Sequence, residues 1–195
     1  MPHIHTEPGQ HDMTVSAYIV REVDDSLLGL VHQHKKLGTL MQIGGHIELD
    51  ETPWRSMAHE INEESGYQLD ELQILQPCAS LVTEQTLVQH PVPFLMNTHE
   101  VGNRHYHSDL CYGFVARDVP HLTVGDGEST DLRWMTIDDM QRHVEGGLML
   151  GNVLGIYAHL FATMELYARL PADRFSLSEP NPSGLHYRFG APGEV

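Results

Sequence analysis

Short runs rich in β-branched, aromatic and aliphatic residues recur along the first half of the chain, each bounded by polar or glycine-containing stretches. Thr14 to Arg21 (TVSAYIVR) and Leu27 to Gln33 (LLGLVHQ) predict two strands, and Leu40 to Ile43 a short third one running into Gly44-Gly45. Thr52 to Ser65 switches to helical spacing. Thr52 suits the N-cap, Pro53 the first helical position and Gly66 the end. Leu72 to Gln76, Ser80 to Thr83, His105 to Arg117 and Asp131 to Met135 predict further strands, the last followed by a short helix at Ile137 to His143. Asn152 to Leu170 predicts a longer amphipathic helix. Its Leu154, Tyr157, Leu160, Phe161 and Met164 fall on one side, fitted for core packing or, as a second use, a homodimer contact. Four prolines from Pro171 onward predict an irregular tail over 171–195. Strands punctuated by helices imply a mixed sheet with helices packed on it, an α/β (α+β) layer architecture.

The length of 195 residues suits a single domain, with its core over about 14–170. With 11 Lys and Arg against 27 Asp and Glu, the formal net charge is −16. Such a chain repels polyanions, which argues against a nucleic-acid polymer as partner. A small phosphorylated molecule remains compatible, because bound divalent cations invert the local field. No run approaches the roughly 20 apolar residues that span a bilayer, so no membrane partner is expected. The opening residues lack the basic segment and apolar run of a secretory signal, and Cys78 and Cys111 make no disulfide framework. Both features lead to the expectation of a cytoplasmic protein with reduced cysteines.

Within the Thr52–Ser65 helix, Trp54, Met57, Ala58 and Ile61 form an apolar stripe, and Glu60, Glu63 and Glu64 gather on its flank at i, i+3 and i+4. Three carboxylates in one turn repel each other, and they sit at the helix end whose dipole favours cations. A hard divalent cation with oxygen ligands relieves both penalties. The bland alternative is a solvated acidic face. Just upstream, glycines stand between strand and helix in Gly44-Gly45-His46-Ile47-Glu48-Leu49-Asp50-Glu51 and allow close approach of backbone to a ligand.

From Gly45 to Tyr67 the chain resembles the Nudix hydrolase family. Five residues separate Gly45 from Glu51 and seven more lead to His59-Glu60, followed by Ile61, Asn62, Glu63-Glu64, Ser65, Gly66 and Tyr67. His59 stands where the family box has Arg, and Tyr67 where it has an apolar residue. The order of elements extends the likeness over about residues 14 to 145. The resemblance implies an α/β/α sandwich around a mixed sheet. It implies Mg2+ or Mn2+ held by Glu60, Glu63, Glu64 and the Gly45 carbonyl, with Glu51 in support. His59 would take over part of the orienting role of the missing Arg, and Arg55, one turn back, offers a further positive charge.

The implied chemistry is attack of water on a phosphoric anhydride, in a nucleoside diphosphate linked to another group or in a nucleoside triphosphate. The proton acceptor is Glu60 or, on the glycine-flanked loop Gly125 to Ser129, Glu128. Lys35 and Lys36 follow the second strand as candidate phosphate contacts, with Arg104 and Arg133 behind them. His105, His107 and Asp109 alternate, so they share one face of a strand, where they meet metal, substrate or plain solvent. His3, His5 and His11 are too loosely spaced to read as ligands. Two other functions fit the same resemblance. One is an isomerase like isopentenyl-diphosphate isomerase, which would want a cysteine in the site. The other is a non-catalytic nucleotide-binding regulator, which loss of box glutamates would favour.

Overall fold

The computed structural model describes residues 7–78 and 88–177. The chain runs β1 (His11–Val23), β2 (Ser26–Gln33), β3 (Leu40–Met41), β4 (Ile43–His46), α1 (Pro53–Ser65), β5 (Leu72–Gln76), β6 (Leu95–Gly102), β7 (His105–Ala116), β8 (Leu132–Met135), α2 (Ile137–Glu145), α3 (Gly151–Thr163) and β9 (Ala168–Pro171). The strands form one mixed sheet whose spine is β3-β2-β1-β7-β5-β9, with β4 on β1, β6 on β7 and β8 on β2. The parallel pair β1–β7 lies at its centre, in register from His11↔Tyr106 to Val20↔Val115.

Strand alternation divides the core between the two faces of the sheet. Val15, Ala17 and Ile19 of β1 join Ile43, Phe114 and the α1 stripe of Trp54, Met57 and Ile61 in one apolar cluster. Tyr18 and Val20, pointing the other way, pack with Met140 of α2 and Val153, Tyr157 and Leu160 of α3. The result is the expected α/β/α sandwich. Gly29 of β2 is what lets α3 close down: a Cβ there would lie 2.6 Å from Tyr157.

Most expected elements stand within three residues of their sequence bounds; four differ. The short third strand divides into β3 and β4, and Gly44-Gly45 lies inside β4 rather than in a loop. The helix expected to reach Leu170 stops at Thr163, whose hydroxyl donates back to the His159 carbonyl at 2.8 Å. A 3-10 turn then leads into β9, which covers the free edge of β5 from Gln73↔Pro171 to Gln76↔Ala168. Edge pairing thus overrides the helical spacing. Residues 171–177, read as the start of a tail, include buried Ala172, and Phe175 meets the Trp54 ring edge-on at 6.1 Å. The sequence reading also lacked β6, an outer strand with no buried residue. The Ser80–Thr83 strand expectation falls outside the described residues, as do His3 and His5. Among the described residues, no helix is long and apolar enough to cross a membrane.

Candidate active site

α1 begins at Thr52, whose side chain accepts from the Arg55 amide at 3.3 Å, and ends at Gly66, where φ is 75°. That left-handed cap lets Gly66 donate to the Asn62 carbonyl and brings Leu122 so close that a Cβ would lie 2.3 Å from its oxygen. The unsatisfied carbonyls of the helix end then anchor the loop that carries Glu128. Gly125 donates to the Glu63 carbonyl at 2.7 Å, and Leu122 to the Gly66 carbonyl at 3.3 Å. The end of the acidic helix therefore positions the glycine-flanked loop.

The helix lays Glu60 and Glu64 against β4. Both are buried, at 8% and 7% exposure, while the Glu63 side chain is half exposed. A Cβ on Gly45 would fall 2.1 Å from Glu60 Oε1, so glycine is needed for this approach. The Gly44 amide donates to Glu64 Oε2 at 2.9 Å. Burial pushes the Glu60 carboxyl up to about 7, with His59 countering and Glu63 adding to the rise. Burial likewise pushes Glu64 to about 8, against the Gly44 hydrogen bond and with Glu60 reinforcing it. Two buried carboxyls held out of their normal range, beside a third in the same turn, form an all-oxygen donor set short of positive charge. This fits a hard divalent cation.

His59 links the helix to the loop before it. Its Nε2 lies 3.0 Å from Glu63 Oε1 and its Nδ1 3.5 Å from Glu51 Oε1. Burial lowers its pKa, but the Glu63 hydrogen bond and the charges of Glu63, Glu51 and Glu60 outweigh that and leave it raised. Glu51 also accepts from Ser56 Oγ at 2.8 Å and lies 3.8 Å from Arg55 Nε. Glu51 thus faces both His59 and Arg55.

A cleft of about 400 Å³ opens over these carboxylates. It brings together Gly45, Glu60, Glu63 and Glu64 with Lys35, Lys36, His107, Asp109 and Glu128. Lys35 reaches the Gly127 carbonyl and ties the β2–β3 turn to the Glu128 loop. Asp109 forms part of the cleft wall but is buried, its two oxygens accepting from Thr14 and Ser16 hydroxyls at 2.9 Å each. His105 stands apart from the cleft lining. It is buried, with Nε2 3.2 Å from Asp12 Oδ2. Glu51 and His59 support the cluster from outside that lining. Arg133 is engaged by Asp131 in two hydrogen bonds of 2.8 and 2.7 Å, and Arg104 occupies the β6–β7 turn at φ 58°.

Sequence reasoning missed His32, His34, His46 and His99 of this cleft. His32 lies on β2 with Nε2 3.7 Å from Glu64 Oε2. Burial, then His34, pulls its pKa down to about 4, so at neutral pH this approach is dipolar rather than an ion pair. The available signal was spacing: His32 near the end of β2 and His34 just past it stand two residues apart, running into Lys35 and Lys36. Neither cysteine lines the cleft. Cys111 is buried, its thiol donating to Asp109 Oδ2 at 3.2 Å, with its pKa raised by burial and then by Asp109. Cys78 donates instead to the Leu166 carbonyl.

The family model described as NUDIX domain matches residues 10–148. No curated protein matches the chain. Among solved structures, a NUDIX-family hydrolase from Clostridium perfringens is similar with a TM-score of 0.59 and 23% identity, over 80% of this chain and 97% of that one. The Ap4A hydrolase of C. elegans is similar at TM-score 0.56 and 14% identity, over 78% and 99%. The NUDIX domain of Shewanella oneidensis NrtR, solved with ADP ribose, is similar at 0.57 and 15%, over 80% and 89%. With the glutamate cluster seated on Gly45 and a family match across most of its length, the chain belongs to the Nudix family and is a pyrophosphohydrolase of that type.

Proposed function

We propose that the cleft hydrolyses a phosphoric anhydride in a nucleoside diphosphate linked to another group, or in a nucleoside triphosphate, with Mg2+ or Mn2+ held by Glu60, Glu63, Glu64 and the Gly45 carbonyl. The observation that carries this reading is the burial of Glu60 and Glu64 against Gly45, beside Glu63 in one cleft. When bound, the cation neutralises phosphate charge and acidifies water. Lys35 and Lys36 on the rim offer the substrate further positive charge, in a chain whose net charge of −16 otherwise repels it. His32, buried beside Glu64 with its pKa lowered to about 4, adds no charge to the cleft wall at neutral pH.

Proton acceptance falls to Glu128. A carboxylate committed to a cation is a weak base, which disfavours Glu60, whereas Glu128 lines the cleft from a separate loop. The isomerase alternative loses support because both cysteines lie outside the cleft lining. The regulator alternative loses support because Glu60, Glu63 and Glu64 are all present in the cleft.

The test is a panel of nucleoside triphosphates, dinucleoside polyphosphates and nucleoside diphosphate sugars with Mg2+ or Mn2+, measuring phosphate released after added phosphatase. Turnover that needs the cation and disappears in Glu64→Gln supports the reading. Turnover unaffected by chelator, or by Glu63→Gln and Glu64→Gln together, overturns it.

A further inference from the structure

We propose that Asp12, His105 and His107, with His46 beside them, form a second metal centre that takes a transition-metal ion of the zinc class. This centre is separate from the glutamate cluster and differs from it in chemistry.

The sheet itself assembles the residues. β4, β1, β7 and β6 lie side by side, and near the start of β1 they present His46, Asp12, His107 and His99. Thr14 pairs with His46, Asp12 is in register with His107, and His107 is in register with His99. His105 lies two residues before His107, so it projects to the same side of β7. The face of β1 that carries Tyr18 and Val20 into the second core carries Asp12, Thr14 and Ser16 nearer its start. Thr14 and Ser16 donate to Asp109, and Asp12 lies beside the imidazoles of His105 and His46.

The spacing fits a coordination sphere. Ligand atoms of Asp12, His105 and His107 all lie within 4.8 Å of one another. His105 Nε2 is 3.2 Å from Asp12 Oδ2, His46 Nε2 is 3.6 Å from the same oxygen, and His46 Nε2 is 3.2 Å from His107 Nε2. Donors about 2.0–2.2 Å from a tetrahedral zinc ion lie about 3.3–3.6 Å apart, close to the three shorter separations here. Asp12 is 1% exposed, so its carboxylate meets the imidazoles in a water-poor setting where a cation's charge is weakly screened. An imidazole-rich set with one carboxylate suits Zn2+, Co2+ or Ni2+, whereas the all-oxygen glutamate set suits Mg2+ or Mn2+.

The consequence is a cross-tie. An ion here joins the start of β1 to β7 and to β4, next to Gly45. Because His46 and His107 also line the cleft, it sets one wall of the substrate site.

The test uses the full chain without an affinity tag, titrated with Co2+ while the visible d–d bands are recorded, and with Zn2+ by calorimetry. The expected result is one tight equivalent that persists in the Glu63→Gln/Glu64→Gln variant and weakens at least about tenfold in His107→Ala. His107 is only part-buried, so its truncation spares the fold, and circular dichroism checks this. His46→Gln supplies a second ligand loss should His107→Ala fail to fold. Absence of a tight site, or one lost with the glutamates and kept in the histidine variants, overturns the proposal. In the latter case the reading of the glutamate cluster would stand unharmed.

Discussion

At the scale of single residues, the departure at position 59 has a measurable meaning. His59 bridges Glu63 and Glu51 at 3.0 and 3.5 Å, a span that the longer Arg fork also covers. His59→Arg should therefore keep or raise kcat, and His59→Ala should lower it. Equal rates in all three forms would remove the bridge from the catalytic account. The assignment of the base separates two other side chains. Glu128→Gln should cut kcat at least about a hundredfold with metal affinity unchanged, while Glu60→Gln should damage both. Titration calorimetry beside steady-state rates distinguishes them.

The buried carboxyls also link protons to stability. Glu60 and Glu64 are raised to about 7 and about 8 from an ordinary 4.5. Below that ordinary value both are protonated, folded or unfolded, and burial costs little. As pH climbs, the unfolded chain releases these protons first, so the folded state loses stability until the folded values are passed. Metal-free protein should lose at least about 2 °C in Tm between pH 5 and 8, relative to Glu60→Gln/Glu64→Gln. Added Mg2+ should recover more at pH 8 than at pH 6. Parallel melting curves for parent and double variant would contradict the burial reading.

At the scale of elements, legibility followed from whether a segment's pattern was local. α1 announced itself through Thr52, Pro53, the apolar stripe and Gly66, all within one short stretch. β6 has no buried residue, so no hydrophobic alternation marks it; the Gly102-Asn103-Arg104 turn, with φ positive at all three, was its one local sign. β9 was read as helix because Ala168 to Leu170 continue an apolar spacing, whereas its state is decided by the vacant edge of β5. The glutamate cluster was legible because its members are neighbours in sequence. Asp12, His32 and His46 were not, because only strand register brings them together with β7 or α1. Cutting the chain after Leu166 would uncover the β5 edge and remove Phe175 from Trp54, whose Nε1 donates to the Phe175 carbonyl at 3.2 Å. The expected loss is at least about 2 kcal/mol, read from the urea midpoint. An unshifted midpoint would mean that β9 is ornamental.

For the whole molecule, the central fact is that β1 and β7 run parallel although 95 residues separate positions such as Thr14 and Asp109. Parallel neighbours cannot be joined by a tight turn, so everything from β2 to β6 is threaded between them before they meet. Time therefore enters the architecture. α1 and its glutamates can form from nearby sequence, but the floor of the cleft waits for a distant strand to arrive, and contacts of such long reach are slow to close. During refolding, helical circular dichroism should return well before turnover does, and the lag should lengthen when the Thr14–Asp109 and Ser16–Asp109 bonds are weakened by Asp109→Asn. Simultaneous recovery of both signals would indicate that β1 and β7 find each other at the outset. In a cell, newly made chains would pass through an interval in which the acidic helix exists without its pocket, a stage at which a cation captured early by the glutamates has no catalytic wall to face.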